Sequence, residues 1–155
     1  MNQAKVSRIL AAMEEQDLTQ MIISDPAAIF YLTGKWIHPG ERMLALYLNT
    51  SGNHKLIINR LFPQEKDLGV DLVWYDDTED AVGILSRYTD KSRPLGIDKT
   101  WPAGFLLHLQ ELKGASSYCN SSTIIDDVRR IKDAEEQQLM REASLANDRV
   151  MEQLI

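Results

Sequence analysis

Apolar residues recur along the chain with two different spacings, and together these predict alternating helices and strands. Near the amino terminus Val6, Ile9 and Met13 recur at helical intervals with charged residues between them, which indicates an amphipathic helix. Short apolar runs bounded by polar residues predict strands. These runs cover residues 19–24, 43–48, 55–59, 71–75, 94–98 and 116–119.

The segments between these runs supply the remaining elements. A polar loop containing Gly52 joins the second and third runs, as in an antiparallel hairpin. The acidic run at 76–80 precedes apolar residues at helical spacing, and its carboxylates suit a helix amino terminus better than a metal site. Helices are also predicted over Trp101–Leu112, ending at Gly114, and as a short connection over Phe62–Lys66. This order of elements predicts an α/β fold, a mixed sheet with flanking helices.

The segment from Asp25 to Met43 combines a helix start, a helix end and a polar, aromatic loop. Asp25 can accept hydrogen bonds from the free N–H groups of the first turn, and Pro26 suits the first helical position. Gly34 supplies a left-handed helix end. A loop anchored by a rigid helix is a favourable place for a binding site. The candidate side chains of this loop are Trp36, His38, Glu41 and Arg42.

Composition and charge narrow the function classes. The 155 residues are 44% apolar and 26% charged, which suits one globular domain. Acidic residues outnumber basic ones by 23 to 17 and the basic ones are scattered, so nucleic acid is not expected as a partner. No apolar run reaches the roughly 20 residues of a membrane span, and no secretory signal is visible. Because Cys119 has no partner for a disulfide, we expect a cytoplasmic protein.

No pattern of catalytic or metal-binding residues is recognisable in the sequence. His38, His54 and His108 occur singly, and no pair of histidines or cysteines has the spacing of zinc ligands. Phosphate-binding glycine loops and a G-x-S-x-G nucleophile motif are also absent. We therefore expect this chain to be inactive as an enzyme by itself, and we assign it no catalytic residue, metal ligand or cofactor.

The region after residue 120 differs from the rest. Residues 120–123 have the composition of a loop and 126–132 are rich in charge, so a boundary is predicted near residue 126. Asp133 and Glu136 then form a D-x-x-E capping box. The helix that follows carries an apolar stripe of Leu139, Ala143, Ala146, Val150 and Leu154. Nothing later in the sequence covers this stripe, so we expect it to pack on a further domain outside this chain.

The helix before the loop resembles a family signature. Residues 25–34 are similar to the S-P-x-N-x-x-Y-L-T-G motif of the amino-terminal domain in the creatinase, prolidase and aminopeptidase P superfamily. Tyr31–Gly34 match the motif directly, whereas Asp25 stands in place of the serine and Ala28 in place of the asparagine.

A second match lies at the predicted boundary. Arg129, Lys132 and Glu136 have the spacing R-x-x-K-x-x-x-E that introduces the catalytic domain of this family. The resemblance implies that residues 1–126 form a creatinase/prolidase amino-terminal domain, with a ribonuclease-H-like α/β fold. It also implies that residues 127–155 are a linker and the first helix of a missing catalytic domain of the pita-bread fold.

The resemblance also implies an activity. Prolidases of this family are homodimeric Xaa-Pro dipeptidases that hydrolyse Xaa-Pro dipeptides with two divalent metals, manganese being expected, in the catalytic domain. The longer protein is therefore expected to be a cytoplasmic metallopeptidase, with this chain as its dimerisation and substrate-gating domain. One alternative is the amino-terminal domain of an aminopeptidase P. The other is a stand-alone, non-catalytic domain of the same fold that binds a ligand or a partner.

In the family, the loop after Y-L-T-G can approach the catalytic cleft of the partner subunit. His38 offers an imidazole donor, Arg42 a two-point grip on a carboxylate, and Trp36 an apolar face for a prolyl ring. These three are the predicted substrate-gating residues. The competing interpretation is that Trp36 packs under the loop while Glu41 and Arg42 pair with each other at the surface.

Overall fold

Within the described part of the chain, six strands form one mixed sheet with helices on both faces. The computed structural model describes residues 1–64 and 67–154. The helices are Gln3–Glu15 (α1), Pro26–Thr33 (α2), Ala81–Leu85 (α3), Ala103–Glu111 (α4), Ser122–Arg130 (α5) and Ala134–Leu154 (α6). The strands are Gln20–Ile23 (β1), Ala45–Asn49 (β2), Lys55–Asn59 (β3), Asp71–Tyr75 (β4), Pro94–Ile97 (β5) and Ser117–Asn120 (β6).

The strand order is β4-β3-β2-β1-β5-β6. β2 is antiparallel to both β1 and β3, so the predicted hairpin is confirmed. The other three pairs, β3 with β4, β1 with β5 and β5 with β6, are parallel. The α/β fold with a mixed sheet is therefore confirmed, and each predicted strand is present with ends within two residues of those expected.

The two faces of the sheet bury two separate apolar clusters. Successive side chains of a strand point to opposite faces, so Met21 and Ile23 join the cluster beneath α1, α2 and α5. Ile22, between them, joins the cluster beneath α3 and α4. The central strands are buried on both faces, which explains why their sequences are continuous apolar runs.

The helix α5 replaces a predicted loop. The sequence from 120 to 132 suggested a loop followed by a charged linker, whereas residues 122–130 are helical. Ile124, Ile125 and Val128 are buried against the sheet, and the charged residues between and after them face outward. Their spacing is that of one helix face, a signal that the high charge of the segment obscured. The predicted boundary after residue 126 falls inside this helix, and the division into two domains stays a prediction.

Two smaller expectations also differ. The described part of the predicted 62–66 helix, residues 62–64, is not helical, and the rest of that segment lies outside the described residues. After α4 the left-handed residue is Lys113, with φ +51°, and not Gly114. Gly114 is needed for a different reason, because a Cβ there would lie 2.4 Å from the Leu109 side chain.

The helix α6 begins as predicted and then extends away from the core. Glu136 donates its backbone N–H to the Asp133 carboxylate at 2.9 Å, and Asp133 donates to the Glu136 carboxylate at 3.0 Å, which confirms the capping box. No residue of the described part of α6 is buried. The first turn of α6 is held to α1 by an ion pair between Glu136 and Lys5 at 2.8 Å.

Candidate functional site

Both ends of α2 are capped as the sequence predicts. Asp25 accepts hydrogen bonds from the backbone N–H groups of Ala27 at 3.2 Å and Ala28 at 3.1 Å, and Pro26 is the first helical residue. Gly34 ends the helix in the left-handed conformation with φ +72°. The helix therefore gives the following loop a fixed starting point.

A buried carboxylate fixes the start of α2 to the sheet. Asp98 follows β5 and is only 5% exposed. It accepts hydrogen bonds from the backbone N–H groups of Ser24 (2.5 Å), Asp25 (3.0 Å) and Thr100 (3.1 Å). It also accepts the hydroxyl hydrogens of Ser24 at 2.6 Å and Thr100 at 2.9 Å. Because β1 and β5 are parallel neighbours, their carboxyl ends meet here, a contact that no sequence motif indicated.

Two residues of the R-x-x-K-x-x-x-E pattern lie close to α2, Arg129 at its amino-terminal cap and Glu136 near Tyr31 by way of Lys5. Arg129 of α5 donates to the Asp25 carboxylate at 3.0 Å. Glu136 pairs with Lys5, whose ammonium group lies 4.0 Å from the centre of the Tyr31 ring. Two of the three pattern residues thus connect α5 and α6 to the region around α2.

The α2–β2 loop, residues 35–44, is anchored at both ends. Ile37 and Met43 are buried, and the hydroxyl of Tyr75 donates to the Met43 carbonyl at 2.7 Å. The tip between these anchors, residues 38–41, is largely exposed. The loop is therefore held in place while its tip remains accessible.

Arg42 is bound by Asp77, which belongs to the acidic run before α3. Its Nε donates to Oδ1 of Asp77 at 2.8 Å and its Nη2 donates to Oδ2 at 2.6 Å. Asn59, at the end of β3, donates to the same Oδ1 at 2.8 Å. The hydrogen bond from Arg42 holds the pKa of Asp77 below its ordinary value. The pairing of Arg42 with Glu41 in the competing interpretation is therefore replaced by a pairing with Asp77.

Trp36 lies on the surface and not beneath the loop. Its side chain is 50% exposed, so the competing interpretation of a packed Trp36 is wrong. The ring packs edge-on between two others, with centroids 5.8 Å from Phe30 and 5.9 Å from His38. Phe30 is itself 46% exposed, so these three rings form an accessible aromatic row.

Two clefts meet at Arg42. One, of about 280 Å³, lies between the loop and the start of α4, and its walls include His38, Arg42, Trp101 and Phe105. No Asp or Glu is among the described residues that line it. The other cleft, of about 470 Å³, is also lined by Arg42 and by five acidic residues: Glu41, Asp76, Asp77, Glu79 and Asp80. The structure thus brings His38 and Arg42 to one cleft and leaves Trp36 outside it.

The other two histidines, His54 and His108, have structural partners. Nδ1 of His54 accepts the backbone N–H of Asn49 at 3.3 Å, and burial lowers the pKa of His54. Nε2 of His108 lies 3.1 Å from the Asp80 carboxylate, and its Nδ1 lies 3.4 Å from Glu111. Hydrogen bonding to Asp80, and then to Glu111, raises the pKa of His108.

This raised pKa predicts a pH-dependent stability. The folded chain binds the His108 proton more tightly than the unfolded chain, so the contribution is present below the ordinary histidine pKa and is lost as pH rises through the raised one. His108→Gln is therefore expected to lower the thermal midpoint at pH 6 and to change it much less at pH 9. Thermal unfolding followed by circular dichroism at both pH values checks this. Gln110→Ala, an exposed neighbour on α4, is the control and should shift both midpoints equally.

The described residues show neither a metal centre nor a membrane span. Within 1–64 and 67–154, no three His, Cys, Asp or Glu side chains are grouped so that they could hold a metal ion. In the same part of the chain, every helix is too short or too polar to cross a bilayer. The chemistry available at the loop is therefore hydrogen bonding by Arg42 and His38 and apolar contact by the aromatic rings.

The mixed sheet, the capped α2 and the anchored loop define the class, an α/β domain that presents an exposed loop from a rigid helix. The chain belongs to the creatinase/prolidase N-terminal domain family, whose model matches residues 5–131. This confirms the resemblance inferred from Tyr31–Gly34.

Similar proteins agree with this assignment. An uncharacterized peptidase of Staphylococcus saprophyticus is 27% identical over 155 residues, covering 96% of this chain and 43% of the relative. A prolidase of Thermococcus sibiricus has the same fold with a TM-score of 0.88 at 22% identity, covering 99% of this chain and 43% of that one. The N-terminal domain of an X-Pro dipeptidase from Streptococcus pyogenes matches with a TM-score of 0.69 at 19% identity, covering 80% of this chain and 98% of that one. The chain thus spans less than half the length of the curated relatives that it matches.

Proposed function

We propose that this chain is the amino-terminal domain of a metal-dependent Xaa-Pro dipeptidase, in which it serves dimerisation and substrate gating. One observation carries most of the proposal. The likeness to the Thermococcus sibiricus prolidase includes almost the whole chain but only 43% of that protein, so a catalytic domain would occupy the remainder. The same comparison favours a peptidase over a stand-alone binding domain.

The exposed face of α6 supports a second domain. The large side chains of its predicted apolar stripe, Leu139, Val150 and Leu154, are between 54% and 75% exposed. Soluble proteins rarely leave so continuous an apolar stripe open to water. In the proposal, α6 is the first helix of the catalytic domain and buries this stripe against it.

The catalytic metals belong to that second domain in the proposal. Two divalent ions, with manganese as the first to test, would polarise the scissile carbonyl and activate a water molecule when bound. This chain contributes no ligand to them. Its own residues position the substrate and cover the cleft, and the protein works as a homodimer in the cytoplasm, where Cys119 stays a free thiol.

The gating function is assigned to the tip of the α2–β2 loop. His38 and Trp36 are exposed, and the anchors at Ile37 and Met43 hold the tip in one position. A tip of this kind can enter the catalytic cleft of the partner subunit and exclude water from it. In this arrangement His38 donates to the substrate, Arg42 binds its carboxylate, and Trp36 lies against an apolar group.

The experiment that tests the gate is steady-state kinetics with an Xaa-Pro dipeptide. It uses the longer chain, which is the proposed protein that contains both this domain and the catalytic domain. His38→Ala is expected to raise KM about tenfold, which corresponds to the loss of one charge-assisted hydrogen bond of roughly 1.5 kcal/mol. Lys35→Ala, an exposed neighbour in the same loop, is the control and should leave kcat and KM unchanged. If His38→Ala hydrolyses the dipeptide with unchanged kcat and KM, the loop does not gate the substrate.

A further inference from the structure

The helix α6 is attached to the rest of the domain by few contacts. Its described part contains no buried residue. It is joined to α5 through residues 131–133, and Ile131 of this link is 65% exposed and has an extended backbone. The helix α5, in contrast, is fixed to the core by Ile124, Ile125 and Val128. The angle between α6 and the domain is therefore set by the contacts of its first turn.

One ion pair connects this first turn to the domain. Lys5 of α1 donates from Nζ to Oε1 of Glu136 at 2.8 Å, although the two residues are 131 positions apart. Their side chains are only 16% and 21% exposed, so water and salt screen this pair less than a surface pair. In the part of the chain that the structure describes, no other side chain of α6 forms a hydrogen bond with a different helix or strand.

Lys5 is held in this position by a second contact. Its ammonium group lies 4.0 Å from the centre of the Tyr31 ring, which is within the range of a cation–π interaction. Tyr31 belongs to α2, and the α2–β2 loop starts where that helix ends at Gly34. These side chains thus connect the helix that carries the loop with the helix that, in the proposed function, enters the catalytic domain.

Space for a movement of α6 is present on the α2 side. A cleft of about 920 Å³ lies between α2 and the junction of α5 with α6, and its walls include Phe30, Tyr31, Glu136 and Met140. Phe30 and Met140 are 46% and 58% exposed, so these walls are not packed against each other. Because α6 has an exposed link, few contacts and an open cleft beside it, its angle to the domain can change when the ion pair breaks.

We propose that Lys5, Glu136 and Tyr31 form a latch that fixes the angle between α6 and this domain, and that Lys5 is thereby a positioning residue for the α2–β2 loop. The inference rests on the proposed function, because there α6 leads into the catalytic domain. In a homodimer, the loop reaches the partner's cleft only when each domain keeps a set angle to its own catalytic domain. The intact latch corresponds to the closed, binding-competent arrangement, and a broken latch lets the loop leave the cleft.

The first test measures the angle of α6 in the 155-residue chain. Spin labels are placed at Glu14→Cys in α1 and Asp148→Cys in α6, in a Cys119→Ser background, and double electron–electron resonance measures the distances between them. Dilution with unlabelled chain removes distances between molecules. The intact latch should give one main distance. Lys5→Gln should increase the population at other distances about tenfold, the size expected for losing one partly buried ion pair and one cation–π contact.

Matched variants separate the two contacts of the latch. Lys5→Arg keeps both the charge and the cation–π contact and should retain the single distance. Tyr31→Phe keeps the ring and should also leave the distance unchanged, whereas Tyr31→Leu removes the ring and should open the helix. Glu136→Gln should open it as well, and its combination with Lys5→Gln should open it no further than Lys5→Gln alone, since both changes break one pair. Lys91→Gln, at an exposed lysine without an ion pair among the described residues, is the control.

Two results would overturn the latch. One is a distance distribution that both Lys5→Gln and Glu136→Gln leave unchanged. The other is an equal opening by Lys91→Gln, which would show that the loss of any positive charge moves α6. Because two separate substitutions break the same pair, the test holds even if one of the two variants does not fold.

Kinetics of the longer chain distinguish the failure of this inference from the failure of the proposed function. Lys5→Gln should raise KM for glycyl-proline by the factor by which the closed fraction falls, with little change in kcat, and Lys5→Arg should restore KM. Hydrolysis with a KM that Lys5→Gln leaves unchanged would reject the positioning role and keep the dipeptidase. Opening of α6 by Lys5→Gln without hydrolysis by the longer chain would keep the latch and reject the dipeptidase.

Discussion

Replacing Asp98 by Ala is expected to lower the free energy of unfolding by about 3 kcal/mol, among the largest effects of any single substitution in this domain. The Asp98 carboxylate accepts five hydrogen bonds, of which three come from the backbone N–H groups of Ser24, Asp25 and Thr100. Removing it leaves buried donors without an acceptor, and each such donor costs roughly 1 to 3 kcal/mol unless water replaces the carboxylate. Urea unfolding followed by circular dichroism measures the loss.

Two variants sharpen this prediction. Asp98→Asn keeps one acceptor oxygen and should lose less stability than Asp98→Ala. Asp127→Ala removes an exposed carboxylate whose ion pair with Arg130 spans 3.2 Å at the surface, and should change stability by at most about 0.5 kcal/mol. An Asp98→Ala protein as stable as the Asp127→Ala protein would show that water satisfies the exposed donors and that Asp98 does not fix the start of α2.

The effect of the Asp98→Ala substitution should extend to the α2–β2 loop. Ser24 and Asp25 lead directly into α2, and the loop starts where that helix ends at Gly34. A helix whose first turn is released no longer holds the loop tip in one position. The folded fraction of Asp98→Ala is therefore expected to show weaker protection from amide hydrogen exchange in α2 than in β2 or β3.

The features that the sequence predicts are local ones. Asp25, Pro26 and Gly34 act within one turn of the helix that they delimit, so their residue types alone reveal the caps. The capping box of Asp133 and Glu136 is local in the same way. Strands are equally clear, since a strand buried on both faces needs an apolar run wherever it lies in the chain.

Contacts between distant residues escape this kind of reasoning. Asp98 and Ser24 are 74 positions apart, and Arg42 and Asp77 are 35 apart. The local sequence around one residue of each pair therefore does not indicate its partner. The acidic run correctly predicts a helix start after Asp77, but nothing in it indicates that the sheet brings Asp77 to Arg42. Only the strand order, which sets β3 beside β4 and β1 beside β5, decides these pairings.

The helix α5 was missed for a different reason. Its buried face is built from only three apolar residues, Ile124, Ile125 and Val128, and four of its other residues are charged. A short segment of this composition is equally typical of a solvated linker. Packing against α1 decides in favour of a helix, and packing is not visible in the local sequence.

The largest expected effect is a difference in peptidase activity between this chain and the longer chain that includes the proposed catalytic domain. In the proposed function the metal ligands lie in a second domain, so this chain alone is not expected to cleave an Xaa-Pro dipeptide. The chain encoded by the uninterrupted reading frame should cleave it when manganese is added and lose the activity when a chelator removes the metal. A panel that includes an Xaa-Pro-Yaa tripeptide tests the alternative, since preference for the tripeptide indicates an aminopeptidase P.

The most direct test of the central claim is therefore hydrolysis of glycyl-proline with added manganese, measured side by side on this chain and on the longer chain. Release of proline by the longer chain alone is the predicted result, and it would establish this domain as part of an Xaa-Pro dipeptidase. Absence of proline release from both chains would contradict the claim and favour a non-catalytic binding domain of the same fold.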